Sequence, residues 1–106
     1  MTDEDQDSYV EAVLSIVELI PKGRVTTYGL IADAVGRGGP RQVGRTMALY
    51  GGGVPWWRVV RADGTLPPSH QREALPRYRE ESTPLRGTIR AAAGQRVDLT
   101  KAVWLP

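Results

Sequence analysis

The residues best able to do chemistry in this chain lie in one run, Pro55-Trp56-Trp57-Arg58-Val59-Val60-Arg61. Adjacent side chains on an extended segment point to opposite faces, so one indole is expected to face a core and the other a pocket or solvent. An indole-lined pocket beside a basic helix can hold an unstacked nucleobase, because stacking on the ring recovers part of the few kcal/mol that leaving the duplex costs. Two tryptophans packed apart into a core are the plainer reading of the same run.

Covalent chemistry finds less support. The 106 residues contain no Cys, which removes disulfides, thiolate metal sites and a thiol nucleophile together. The single histidine, His70, follows Pro67-Pro68-Ser69 in a polar stretch and reads as a surface residue. No His and carboxylate spacing suits a metal, and no glycine-rich run carries the phosphate-loop lysine. No Ser, Thr, Lys or carboxylate sits in an activating motif. These residues describe a binder rather than an enzyme, with no metal and no cofactor.

Charge points to what is bound. The formal net charge is only +2, with 14 basic and 12 acidic side chains, but the two signs are segregated. Residues 1–20 hold six acids and no base, so residues 21–106 carry a net +8. Seven of the bases fall within residues 21–61, where Asp33 is the sole acid. Such asymmetry suits a polyanion, although twelve arginines against two lysines also fit an ordinary solvated surface in an arginine-rich composition. The longest apolar stretch, 12–20, is interrupted by Ser15 and Glu18, so no segment reads as a membrane span, and the acidic N-terminus is unlike a signal peptide. A cytoplasmic protein of one domain, residues 1–106, is expected.

The elements that must position these residues follow from period and punctuation. Val10, Val13, Leu14, Val17 and Ile20 recur at three- and four-residue steps, with Ser8 and Glu11 as a capping box and Pro21 and Gly23 as the stop, which predicts a helix over 8–20. After a short extended piece at 24–26, Thr26 or Thr27 caps a second helix ending at Gly36. Gly39 and Pro40 open a third over about 40–50. The pair makes a helix-turn-helix candidate. Gly51-Gly52-Gly53 reads as a hinge, 57–61 and 65–66 as a hairpin about Asp63-Gly64, and 69–81 as a helix kinked at Pro76. Thr83-Pro84 restarts a helix that Gly94 ends, and 96–106 returns as an extended segment. The fold class is mostly α, a winged-helix-like domain with a helix-turn-helix and a short β-hairpin wing.

On the third helix, Val43, Met47 and Tyr50 form a packing stripe, while Arg41, Gly44, Arg45 and Ala48 form a basic face with almost no bulk between the arginines. A glycine inside a helix costs about 1 kcal/mol relative to alanine. Gly44 therefore needs a reason, either close packing of another helix or close approach to a nucleic-acid groove, with Arg41 and Arg45 reaching phosphates or bases.

Three stretches together carry a resemblance: Gly23-Arg24-Val25-Thr26-Thr27-Tyr28-Gly29-Leu30-Ile31-Ala32, Pro40-Arg41-Gln42-Val43-Gly44-Arg45 and residues 55–64. In order and spacing, over about residues 8–66, they resemble the DNA-binding domain of the O6-alkylguanine-DNA alkyltransferases. Those enzymes carry Pro-Cys-His-Arg-Val, whose Cys accepts the alkyl group. Trp56 stands in that place here, the mark of the alkyltransferase-like proteins, which bind the lesion without repairing it and flag it for nucleotide excision repair.

The resemblance implies duplex DNA containing O6-alkylguanine as partner, nucleotide excision repair proteins as further partners, and a monomer. It implies that Tyr28 pushes on the phosphate of the target nucleotide and that Arg41 fills the vacated stack, where its planar guanidinium can both stack and hydrogen-bond. Gly44, Arg45 and Ala48 would belong to a recognition helix in the minor groove. Tyr28, Trp56 and Val59 would form the lesion pocket, with backbone carbonyls near Trp56 and Val59 accepting from the guanine amino group. Arg58 would brace the motif. The chain departs from the family where Trp57 replaces the His, so a Cys restored at 56 is not expected to restore transfer. It departs again at Leu66-Pro67-Pro68-Ser69-His70-Gln71, in place of a glycine-rich pocket loop. An undamaged-sequence regulator and a residual enzyme acting on the flipped base are the readings from other classes.

Overall fold

The computed structural model describes residues 3–88 and 94–106. Helices α1 (Asp3–Leu19), α2 (Tyr28–Val35), α3 (Pro40–Tyr50), α4 (Pro68–Glu81) and α5 (Leu99–Ala102) are joined by four two-residue strands. These are β1 (Thr26–Thr27), β2 (Val59–Val60), β3 (Leu85–Arg86) and β4 (Arg96–Val97). The architecture is the mostly helical, winged-helix-like one expected.

The helix-turn-helix forms as its punctuation predicts. The Thr27 side chain accepts from Leu30 N–H at 3.1 Å to start α2, and Gly36 ends it in the left-handed region. Pro40 opens α3, and Gln42 Oε1 accepts from Gly39 N–H at 2.9 Å. α1 differs: it begins at Asp3, so Ser8 lies inside it and the expected capping box does not form. The acids of its first turns favour the positive end of the helix dipole and extend the helix backwards. Ser8 Oγ instead accepts from Arg37 at 3.3 Å.

Two cores share one wall. Tyr9, Val13 and Val17 of α1 and Ile20 just after it meet Ile31 of α2, Val43 of α3 and Val59 in the first; Val25, Val60, Leu66, Ala74, Tyr78 and Val97 build the second. Consecutive residues Val59 and Val60 enter opposite cores because side chains alternate along β2. Of the expected packing stripe on α3, Val43 is fully buried and Met47 packs against the first core. Tyr50 is corrected: at the last residue of α3 it is 48% exposed.

Four further expectations are revised. The glycine run is a single 3₁₀ turn, Gly51–Gly53, that continues α3, with Gly51 N–H bonded to Met47 O and Gly51 buried. A second 3₁₀ turn, Trp56–Arg58, replaces the first half of the predicted strand. The extended remainder pairs in parallel with β1, Thr26 opposite Val59 and Thr27 opposite Val60.

The hairpin is shorter than predicted, and residues 65–66 make no strand. Its turn closes at Asp63-Gly64 with Gly64 N–H to Arg61 O at 2.9 Å, and Arg61 N–H to Thr65 O at 2.9 Å is its rung. Gly64 is tied to β4: its carbonyl accepts from Val97 N–H at 3.1 Å, its φ is +84°, and a Cβ there would fall 2.3 Å from Val97 O. Finally, Thr83 and Pro84 lead into β3, antiparallel to β4, rather than into a helix. Ser82 ends α4 at φ 58°, which turns the chain out of helical register. The rest of that predicted helix, 89–93, lies outside the described residues. The tail packs back as expected, with Trp104 N–H on Val25 O at 2.7 Å and its indole against the first core, but it is not extended throughout: capped by Asp98, residues 99–102 form α5.

One buried ion pair joins the two halves. Arg58 donates through Nε to Glu81 at 3.1 Å, through Nη2 to the same carboxylate, and through Nη1 to Ile20 O at 2.9 Å. Their side chains are 11% and 8% exposed. Glu81 also accepts from Trp57 Nε1 at 3.1 Å and from Gly23 N–H at 3.4 Å. Burial pushes its carboxyl up, but the bonds from Arg58, Trp57 and Gly23 outweigh that and hold it below the ordinary value.

A depressed folded-state pKa means that the unfolded chain binds the extra proton. This stabilisation is therefore full above the unfolded carboxylate pKa, about 4.3, and lost as pH falls through the folded one. Glu81→Gln leaves a buried guanidinium unneutralised and is expected to cost about 3 kcal/mol at pH 7. Thermal melting from pH 7 into acid should give the variant a lower Tm and a shallower acid decline than wild type. Some decline remains in both, because Asp63 and Asp98 are also held low, mainly by hydrogen bonds from Thr65 and Thr100. Equal Tm at pH 7 would contradict the assignment.

Candidate nucleic-acid interface

α3 presents three different flanks. Val43 and Thr46 turn inward and are buried, while Arg41, Arg45 and Ala48 are exposed. Gly44, Met47 and Ala48 border a cavity of about 320 Å³, at the small end of the ~300–1,000 Å³ typical of small-molecule sites. The choice posed by Gly44 is settled on the protein side, because a Cβ built there meets nothing within 4 Å. Among the described residues no helix packs against it.

The cavity has two aromatic walls. Tyr28, first residue of α2, is placed by the Thr27 cap and packs against both cores, so its ring is fixed from below. Burial raises its phenol pKa, partly opposed by the charge of Arg61, so the hydroxyl keeps its proton at neutral pH and can donate. Trp56 forms the other wall, positioned by the 3₁₀ turn in which Val59 N–H closes on Trp56 O.

The two indoles divide their roles as expected, but not through strand alternation. They meet edge to face with centroids 5.7 Å apart and planes at 87°. Trp57 is held outside the cavity by its bond to Glu81, by Tyr78 Oη donating to its carbonyl at 2.6 Å, and by the Arg77 guanidinium 4.5 Å over its ring. At the position of the family's histidine, this chain has a structural anchor.

The predicted site residues are thus partly united. Tyr28, Gly44, Ala48 and Trp56 line one cavity, and Arg41 and Arg45 stand exposed on the adjoining face of the same helix. Val59 is apart: its side chain is fully buried in the first core and is not among the cavity-lining residues. Arg58 braces the motif from behind, as expected.

Sequence reading put 66–71 in the place of the family's glycine-rich pocket loop but assigned none of its side chains to the pocket, and it missed Glu73. Leu66 and Pro67, just before α4, and His70 and Glu73 in its first turns close the cavity. His70 is exposed, as predicted, yet its ring lies 5.7 Å from that of Trp56. The signal was present: Pro68 at the first position of a helix puts His70 and Glu73 one turn apart on one face. Glu81, the other missed residue, carries no local signal, being 23 positions from its partner Arg58.

The cavity thus offers aromatic faces, small residues and a protonated phenol. Among the described residues no group of three or more His, Asp or Glu is placed to hold a metal ion, and no helix is long and apolar enough to cross a membrane.

Comparison with known proteins gives the family. The family model of the 6-O-methylguanine DNA methyltransferase DNA binding domain matches residues 8–81. A DNA base-flipping protein of Escherichia coli strain K12 is 36% identical over 107 residues, covering 95% of this chain and 78% of the relative. A protein of the same description from Vibrio parahaemolyticus is 35% identical over 63 residues, covering 57% of this chain and 63% of the relative. Among solved structures, S. pombe Atl1 in complex with damaged DNA containing O6-carboxymethylguanine superposes with a TM-score of 0.79 at 31% identity, covering 94% of this chain and 97% of that one. The S. pombe ATL in complex with DNA gives 0.78 at the same identity and coverage. The chain belongs to the family of the 6-O-methylguanine DNA methyltransferase DNA-binding domain, and within it to the alkyltransferase-like proteins.

Proposed function

We propose that this protein is a non-enzymatic sensor of DNA damage. It docks α3 in the minor groove of duplex DNA, rotates an O6-alkylguanine into the cavity between Tyr28 and Trp56, and marks the site for nucleotide excision repair. The observation that carries this reading is an aromatic-walled cavity beside the basic face of α3, with Trp56 where the family's motif has its alkyl-acceptor Cys. The names of the relatives, base-flipping proteins and complexes with damaged DNA, support the same reading.

In this mechanism Tyr28 donates its phenolic proton toward the phosphate of the target nucleotide and turns it outward. Arg41, on the exposed first turn of α3, enters the gap and stacks there. Arg45 neutralises backbone charge, while Gly44 and Ala48 let the helix lie close to the groove. The extruded ring stacks on Trp56, and backbone carbonyls about Trp56 and Val59 accept from its amino group. From Val59 only the backbone takes part, because the side chain is buried. With neither thiol nor neighbouring general base, the alkyl group stays on the lesion.

Titration of duplexes with and without one O6-methylguanine tests this. The modified duplex is expected to bind about tenfold tighter or more, with a salt slope of roughly −0.9 per phosphate contacted. Equal affinity would overturn the lesion reading, and preference for an undamaged sequence would favour a transcription regulator. Arg41→Ala and Tyr28→Phe should each weaken lesion binding about tenfold with unchanged melting, since Arg41 is exposed and Phe keeps the packed ring.

Gly44→Leu separates stability from function. Open space around Gly44 lets the variant gain about 0.5–1 kcal/mol of helix stability, while the added bulk should weaken duplex binding at least several-fold. A variant that melts higher and binds as tightly would contradict close approach of α3 to DNA.

A further inference from the structure

We infer that the start of α4 makes the pocket selective for the charge of the O6 substituent, with Glu73 disfavouring anionic adducts. This rests on the lesion-binding reading above. Around the cavity, α3 and the turn after it contribute only Gly44, Met47, Ala48, Gly51 and Gly52, none of them charged, and the aromatic walls Tyr28 and Trp56 are neutral. The acidic side chain at its rim is Glu73, one helical turn beyond His70.

The ion pair found among the described residues is Arg58–Glu81, so no described cation pairs with the Glu73 carboxylate. The guanidinium of Arg77, on the same helix, is spent over the face of Trp57, outside the cavity. His70 abuts the Trp56 ring, so the cavity's outer wall places an imidazole and a carboxylate together where the alkyl group of a ring stacked on Trp56 would end. A carboxylate on that alkyl group meets Glu73 across a partly desolvated gap and is repelled. A neutral group of equal size is not. Since Glu73 is exposed, solvent screens the repulsion and limits it to a modest factor.

The test compares two duplexes whose adducts match in size and differ in charge, O6-carboxymethylguanine and its neutral amide, O6-carbamoylmethylguanine, at fixed pH and salt. Wild-type protein is expected to bind the acid about fivefold more weakly than the amide. Glu73→Gln should bring the ratio near unity, and Glu73→Lys should invert it. A wild-type ratio near unity, or one that Glu73→Gln and Glu73→Lys leave unchanged, would overturn the inference. A parallel titration with O6-methylguanine and unmodified duplexes keeps the two ideas apart. If those bind equally, the lesion reading itself fails; if the lesion is preferred and the acid-to-amide ratio ignores residue 73, only the charge selection fails.

Discussion

Arg58 is bonded to the Ile20 carbonyl just past the end of α1 and to the end of α4 through Glu81, and the placement of the candidate site depends on that double attachment. A guanidinium this buried must be neutralised and fully hydrogen-bonded. Once Glu81 provides that, the turn holding Trp56 and Trp57 has little freedom. Trp57 is drawn to the same carboxylate and Tyr78 clamps its carbonyl, so Trp56 is left turned toward α3. The alternating side chains of β2 then tie that turn into both cores.

From this frame comes a division of labour on one helix. The inward flank of α3 is core, its outward face is basic and nearly free of bulk, and its remaining flank borders a cavity floored by small residues. Within the proposed function, affinity comes from phosphate contacts along the basic face, whereas recognition comes from what fits between Tyr28 and Trp56. In the proposed function, stacking on an indole has no need of a nucleophile, so Trp56 in place of the family's Cys would leave the lesion intact while adding aromatic surface that binds. Trp57, at the position of the family's histidine, is part of the brace instead.

Much of this was legible in the sequence where the governing interaction is local. Thr27, Gly36, Gly39 and Pro40 place α2 and α3 by capping, and the spacing of Arg41, Gly44, Arg45 and Ala48 defines an exposed face without reference to anything distant. The motif around Trp56 marked the pocket, although the strand geometry assumed for it was wrong: a 3₁₀ turn produces the same separation of the indoles. What could not be read depends on contacts between remote segments. Glu81 lies far from Arg58 in sequence, β2 pairs with β1 rather than with its neighbour, and the carbonyl of Gly64 is met by β4. The segment after Thr83 looks helical by composition, and only pairing with residues 96–97 makes it extended. His70 and Glu73 were hidden differently, since the register of α4 decides which of its polar residues meet the cavity.

In the proposed function the lesion leaves the base stack and is held against Trp56. The most direct measurement places 2-aminopurine beside an O6-methylguanine in a duplex and follows its fluorescence as the protein is added to saturation. Extrusion of the neighbour relieves stacking, so the account predicts a rise in emission that follows binding and is absent with the unmodified duplex. Saturated binding of the modified duplex with unchanged emission would mean that the lesion is recognised within the helix, and would contradict the account.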